Sequence, residues 1–422
     1  MRKFLLFFVL LFSAVEAYSQ MGIFRQDSLS DKAQQIWQTG QTNIFDDPRA
    51  PRFVMASKDQ NYLFGIGGYV EAKGFYDFTG VGSDGLYLYD LAVPYSSSAP
   101  NKMGFGAAGS KLIFKMLGNT KFGVLEATFE TGFQSDSYTM YLSRAYIRFG
   151  NFLVGQDWSV TADTYSFPTV LDGADPVAKF GYKVPQIRYS FNATKSLELN
   201  FSLEFPTLTY NYNGDEYYIA DLMPDLDAKL VYKSPSGVYV GQVAGMFRVM
   251  EADLSGLVDT TASSKVGYAL TTSHQLKLAG GLHTLYLGGS VGVGVSECFG
   301  GISGHNINLL ATVSSSGQVV SLVPTSIWGV VGGYRLQINS FSECNFVASY
   351  LNICDWMVSS GSSFYRTDIP EHLFGASANY LATIEKDMVL GAEIVYGTKV
   401  LYNDTANSGM GLRLNLLMRY NF

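Results

Sequence analysis

Three patterns in the chain carry residue types that can do chemistry. Gly104-Phe-Gly-Ala-Ala-Gly109 fits G-x-G-x-x-G. That spacing cradles a dinucleotide only where it leaves a strand and opens a helix. Here SKLIFKML follows, with Leu112, Phe114 and Met116 alternating with Lys111, Ile113 and Lys115. Such alternation is a strand pattern, so the glycines read as a turn. Gly288-Gly-Ser290-Val-Gly292 fits the G-x-S-x-G nucleophile elbow, with His283 nearby in sequence. An elbow needs a strand-to-helix turn, whereas YLGGSVGVGVS reads as one Gly-rich strand. A Ser290–His283 pair is what a rival reading, a lipase-like barrel enzyme, requires.

The third pattern is cationic. Arg144, Arg148, Arg188, Arg248, Arg335, Arg413 and Arg419, with Lys111 and Lys115, occupy the polar positions of alternating segments. Rings of Arg or Lys inside a pore select anions, because guanidinium groups replace lost hydration and grip carboxylates bidentately. The plainer reading pairs them with acids such as Glu126, Glu130, Glu198 and Glu204, giving a rigid wall without net preference.

The elements that position these residues are strands. In FGVLEATFETG, Leu125, Ala127 and Phe129 alternate with Glu126, Thr128 and Glu130. In SRAYIRF, Ala145, Ile147 and Phe149 alternate with Arg144, Tyr146 and Arg148. The terminal GLRLNLLMRYNF places Leu412, Leu414, Leu416, Met418, Tyr420 and Phe422 on one face. Composition is 47% hydrophobic and 14% aromatic, yet past residue 20 no apolar run is long enough for a membrane helix. Apolar residues dispersed at period two suit a membrane barrel, whose outer face meets lipid and whose inner face meets water. A soluble sandwich of this length needs several cores and linkers, and no linker follows residue 60; a closed barrel needs no core.

MRKFLLFFVLLFSAVEAYSQ has the build of a secretory signal peptide, with cleavage after Ala17 or Ser19. Residues 20–60 are polar and do not alternate; DKAQQIW suits one or two helical turns. The net charge of −7 argues against a nucleic-acid partner. Four scattered His and three Cys indicate no metal site, no cofactor and no disulfide framework. Whether Cys344 and Cys354 face each other across a hairpin stays open; each also reads as a small apolar filler. The predicted fold is all-β: a transmembrane antiparallel β-barrel of about 16 strands with a short N-terminal periplasmic extension. Its divisions are a signal peptide (1–19), the extension (20–60) and the barrel (61–422).

Residues 153–191, LVGQDWSVTADTYSFPTVLDGADPVAKFGYKVPQIRYSF, are the most distinctive stretch. With FGIGGYVEAKGFYDF they resemble the DcaP-like trimeric outer-membrane porins. The matching positions are Gly155, Gln156, Trp158, Ser159, Asp163 and Pro168, then Pro185, Gln186, Ile187, Arg188 and Tyr189. The resemblance implies a homotrimer of 16-stranded barrels in the outer membrane, taking up small, mainly anionic solutes. No heptads occur in residues 20–60, so the coiled-coil stalk of some members has no counterpart. The stretch from Trp158 to Pro185 is too long for a periplasmic turn. Folded into the lumen it makes Asp172, Asp175, Lys179 and Lys183 candidates for a constriction; otherwise it is a plain external loop. The expected function is passive diffusion without enzymatic chemistry. The alternatives are the barrel enzyme and a non-conducting structural or adhesive barrel.

Overall fold

The computed structural model describes residues 22–25, 53–79, 81, 83–95, 100–121, 123–134, 137–212, 215–221, 223–252, 263–316, 319–356, 358–385 and 387–422. The signal peptide, its cleavage site and the helical turns expected in DKAQQIW lie outside these residues.

Sixteen consecutive strands each pair antiparallel with the next. They are β1 (Tyr62–Asp77), β2 (Lys111–Thr120), β3 (Gly123–Phe133), β4 (Met140–Phe149), β5 (Phe152–Trp158), β6 (Lys183–Asn192), β7 (Leu197–Glu204) and β8 (Asp225–Lys233). The second half is β9 (Tyr239–Ala252), β10 (Ser263–Leu278), β11 (His283–Val293), β12 (Ser326–Asn339), β13 (Ser342–Cys354), β14 (Pro370–Glu385), β15 (Met388–Leu401) and β16 (Asp404–Asn421). β16 then pairs with β1, Arg413 opposite Asp77 and Asn421 opposite Tyr69. Closure removes the sheet edge that a row of unpaired backbone groups would otherwise present. Among the described residues no helix is long and apolar enough to cross a membrane.

The last residue completes the seam. The Phe422 N–H donates to the Gly68 carbonyl at 3.0 Å, and the Gly68 N–H donates back at 3.1 Å. Gly68 has φ +141°, and a Cβ there would lie 2.1 Å from the Lys111 carbonyl oxygen, so only glycine lets β1 pass this point. Beyond Phe422 the short strand Phe53–Ala56 continues along β1, opposite Leu63–Ile66, and Gly22–Arg25 pairs with it in turn. The N-terminal segment therefore adds two short strands where its sequence shows no alternation.

Period-two facing holds along the wall. Leu416 is 56% exposed on the outside, whereas its neighbours Arg413 and Asn415 are fully buried inside. Aromatic side chains meet at strand ends, as Phe149, Phe152 and Tyr189 do across β4, β5 and β6. One end of the barrel has tight turns; the other carries the long segments 78–110, 159–182, 205–224, 294–325 and 355–369. That asymmetry is the membrane-barrel pattern of short periplasmic turns and longer external loops.

The long segments bring a correction. This barrel does contain a hydrophobic core. Leu86, Leu88 and Tyr89 from the first segment, Val177 and Phe180 from the second, and Phe299 and Ile302 from a third pack against Met246, Leu351 and Leu373 of the wall. Their apolar surface is buried inside the external half of the lumen. The three cysteines are free. Cys344 and Cys354 lie toward opposite ends of the single strand β13, which rules out their facing each other across a hairpin.

The outward row yields a stability prediction. Leu416→Arg should cost about 2–4 kcal/mol near the bilayer midplane, read by urea unfolding in lipid vesicles, whereas Leu416→Phe should be nearly neutral. Equal stability of the Arg and Phe proteins would contradict the facing.

Candidate functional site

The inward face is built by cross-strand ion pairs. Glu130 stands directly opposite Arg144, and Glu126 opposite Arg148. Arg144 grips Glu130 through Nε at 2.9 Å and Nη2 at 2.6 Å, and its Nη1 lies 3.7 Å from Asp157. Lys111 and Lys183 also approach Glu130, at 3.5 and 3.8 Å. Lys115 and Arg148 flank Glu126 at 3.2 and 3.8 Å. Arg188 lies 3.6 Å from Asp157 and donates to the Gln186 side chain and the Trp158 carbonyl. On β2–β6 these pairs thus join six cations, Lys111, Lys115, Arg144, Arg148, Lys183 and Arg188, to three carboxylates. The carboxylates are the deep partners: Glu130 and Asp157 side chains are 1% and 0% exposed, against 28% for Arg148 and 22% for Lys183. Short acids sit against the wall, and the longer bases reach over them toward the lumen.

Three further arginines follow the same rule elsewhere. Arg248 on β9 binds Asp225 of β8 at 3.0 and 2.5 Å and reaches Glu297 at 2.5 Å. Arg413 and Arg419 bridge the barrel seam to Asp77 and Glu71, at 3.0 and 2.5 Å. Arg335 points inward and donates to Thr284 at 3.2 Å. Of the acids expected to answer the arginines, Glu126 and Glu130 do so. Glu198 pairs with Lys233 instead, and Glu204 accepts from the Val160 N–H at 2.7 Å. Asn415, which alternation suggests could be replaced freely by Arg, is packed between Asp172 and Glu393.

Segment 159–182 lies in the lumen and spans it. Its backbone groups, which would otherwise lack partners, are met by side chains around the wall. Glu204 receives Val160 N–H on β7, and Gln242 on β9 donates to the Ala162 carbonyl at 2.9 Å. Glu393 on β15 receives Leu171 N–H at 3.1 Å, and Ser349 on β13 receives Val177 N–H at 3.1 Å. Asn379 and Lys73 hold the carbonyls of Thr169 and Leu171. Gly155, on the strand entering the segment, has φ +133°, and a Cβ would meet the Ala145 carbonyl at 2.3 Å. Within the segment, burial pushes the Asp163 carboxyl up, while the Ser166 hydroxyl donates to it.

The four residues expected at a constriction are not one cluster. Asp172 caps the Leu86 N–H at 2.7 Å and braces Asn415 on the far wall. Asp175 pairs with Lys179 at 2.8 Å. Lys179 and Lys183 both lie over the Trp158 ring, 4.7 and 4.9 Å from its centre. Glu393, Glu204, Ser349 and Gln242, which hold the segment, were legible only as inward positions of alternating strands.

The Gly104–Gly109 motif is the end of a short strand, Lys102–Gly106, and a turn. Ser290 faces inward and donates to Thr271 at 2.8 Å, whereas His283 lies at the start of β11 and is hydrogen-bonded to Tyr334 at 2.7 Å. The two do not form a dyad. Among the described residues no His, Cys, Asp and Glu group could hold a metal ion.

A closed barrel with charged inner wall and an inward segment is porin architecture, and the sequence agrees. The family described as "Porin subfamily" matches residues 108–403. The chain belongs to the porin subfamily. No curated protein matches this porin. The solved outer membrane channel DcaP of Acinetobacter baumannii is similar with a TM-score of 0.73 and 18% identity, over 87% of this porin and 99% of that chain. The anion-selective porin from Comamonas acidovorans is similar at 0.53 and 10% identity, over 86% of this porin and 100% of that chain. OprB of Pseudomonas putida is similar at 0.51 and 11% identity, over 86% and 95%. At such identities these are likenesses of fold.

The ion-pair hierarchy predicts unequal mutational costs. Arg144→Met strands buried carboxylates and should destabilise this porin by about 3–5 kcal/mol. Arg148→Ala removes a partly exposed pair and should cost about 1 kcal/mol or less. Urea unfolding of both variants checks the ranking, and the reverse order would refute it.

Proposed function

We propose that this porin is a DcaP-like channel of the outer membrane that passes small hydrophilic, mainly anionic solutes by diffusion. One observation carries the reading: on β2–β6 the paired cations outnumber the carboxylates two to one, and all but Arg144 are more exposed than any of the three acids. A passing anion meets Arg148, Lys183 and Arg188, while the acids lie behind them. Guanidinium and ammonium groups then offset part of the hydration a carboxylate loses. Segment 159–182, with Lys179 and Lys183 over Trp158, narrows the path beside this wall and forms the constriction. The likeness to DcaP and to a porin described as anion-selective points the same way. The core packed inside the external half favours a second reading, a plugged structural barrel.

Vesicle swelling separates the two. Uptake of a small dicarboxylate should exceed that of a neutral solute of equal size, and Arg148→Ala with Arg188→Ala should remove most of that preference. No swelling with any solute supports the plugged barrel; an unchanged preference in the double variant refutes the arginine account.

The reading includes a homotrimer. A shallow apolar groove of about 530 Å³ crosses the outer wall of β12–β15, floored by Gly332, Ala348, Ala376 and Ala378. Small side chains let two walls approach closely, and a closed ring of three protomers places this face at each contact. Native mass in mild detergent should be three times the protomer, and Ala376→Trp should yield monomers. A conducting monomer of the unaltered chain would reject the trimer.

A further inference from the structure

The geometry points to an acid-released latch: Tyr89, His305 and Arg366 tie three external segments together over the barrel mouth, and protonation of His305 frees them. Tyr89 sits on the short turn Leu88–Asp90. Its ring stacks on the His305 imidazole with centroids 3.5 Å apart and planes 15° from parallel. Arg366 donates through Nη1 to the His305 carbonyl at 3.0 Å and through Nη2 to the Tyr89 hydroxyl at 3.0 Å. The same hydroxyl donates to Asp368 at 3.0 Å, and Asp368 accepts from Arg366 at 2.6 and 2.9 Å. Lys399 of β15 donates to the Tyr89 carbonyl at 2.5 Å. Tyr89 therefore joins segments 78–110, 294–325 and 355–369, and its carbonyl fixes them to the wall.

The charges around the imidazole explain the switch. Asp90 faces it from the first segment, Arg366 and Asp368 from the third, and Lys399 from β15. With His305 neutral, two cations meet two carboxylates. Protonation adds a third cation to a half-buried site and sets it beside the guanidinium that already binds the His305 carbonyl. Burial holds the imidazole pKa below its ordinary 6.5, with Asp90 pulling it up and Arg366 pushing it down. The sign follows: the neutral form is favoured in the latched state, so latching is complete above that ordinary value and is lost as pH falls below it. Under the latch lies the core formed by Tyr89, Ile302, Ile307, Phe364 and Ile369. Its apolar contacts keep the segments together once the polar tie is gone, so release loosens the mouth locally without unfolding the loops.

The current this latch would control rests on the channel reading, so the test carries a readout independent of current. Amide exchange of residues 86–92, corrected for its intrinsic pH dependence, should quicken roughly tenfold between about pH 7.5 and pH 5 in the full-length protein in lipid vesicles. External acid should raise single-channel conductance over the same range. His305→Phe keeps a stacked ring without a titrating group and should hold exchange slow throughout. Arg366→Gln should exchange fast already at about pH 7.5. Acid-quickened exchange in His305→Phe equal to that of the unaltered protein overturns the latch; that arm decides alone if Arg366→Gln does not insert. Acid-quickened exchange without current supports the latch and removes the channel reading, while current without that exchange pattern does the opposite.

Discussion

A buried carboxylate inside the wall must be answered, most often by a cation on a neighbouring strand, and the rest of this structure depends on those pairings. Removing one partner leaves a desolvated charge, which costs far more than the pair contributes. Asp77, Glu71, Glu126 and Glu130 each stand directly opposite an arginine in the sheet register. A slip of one residue would turn every such pair toward lipid, so the charges fix register as firmly as the apolar outer face does. Two of the pairs lie on the seam between the first and last strands, where Arg413 and Arg419 also stack over Phe75 and Tyr69. The ends of the chain are thereby tied by side chains as well as by backbone hydrogen bonds.

The same wall fixes the inward segment. Carboxylates not needed for arginines, Glu204 and Glu393, receive its backbone N–H groups. Asp172 links that segment to the first long connection and to β16 in one side chain. Rigidity in the lumen is thus shared between wall and loop. Of these pairs on β2–β6 the groups that remain partly accessible are cations, Lys111, Arg148, Lys183 and Arg188, and this is why a salt-bridged wall can still prefer one sign of solute. The two readings of the arginines, ion pairing and anion selection, are compatible because the acids are the deeper partners.

Alternation alone gave the barrel, the facing of Arg144, Arg148 and Arg188, and the inward position of Glu126 and Glu130. These are local properties of period two, and the bilayer enforces them along each strand. Strand partners follow from chain order, so the opposed pairs were nearly legible too. The core in the external half was not. Leu88, Phe299 and Ile302 lie in segments without periodicity, and their partners are far away in sequence. Nor did spacing separate Asp172 from Lys183: the segment spans the lumen, so residues close in sequence meet opposite walls. Ser290 and His283 illustrate the converse, a motif match that the strand dissolves by giving each its own partner.

The central claim is that exposed bases over buried acids give this porin a sign preference. The most direct measurement is the zero-current potential of the unaltered protein in a planar bilayer, under a potassium chloride gradient. The account predicts the sign set by chloride passing faster than potassium. A potential of the opposite sign, with potassium the more permeant ion, would contradict it.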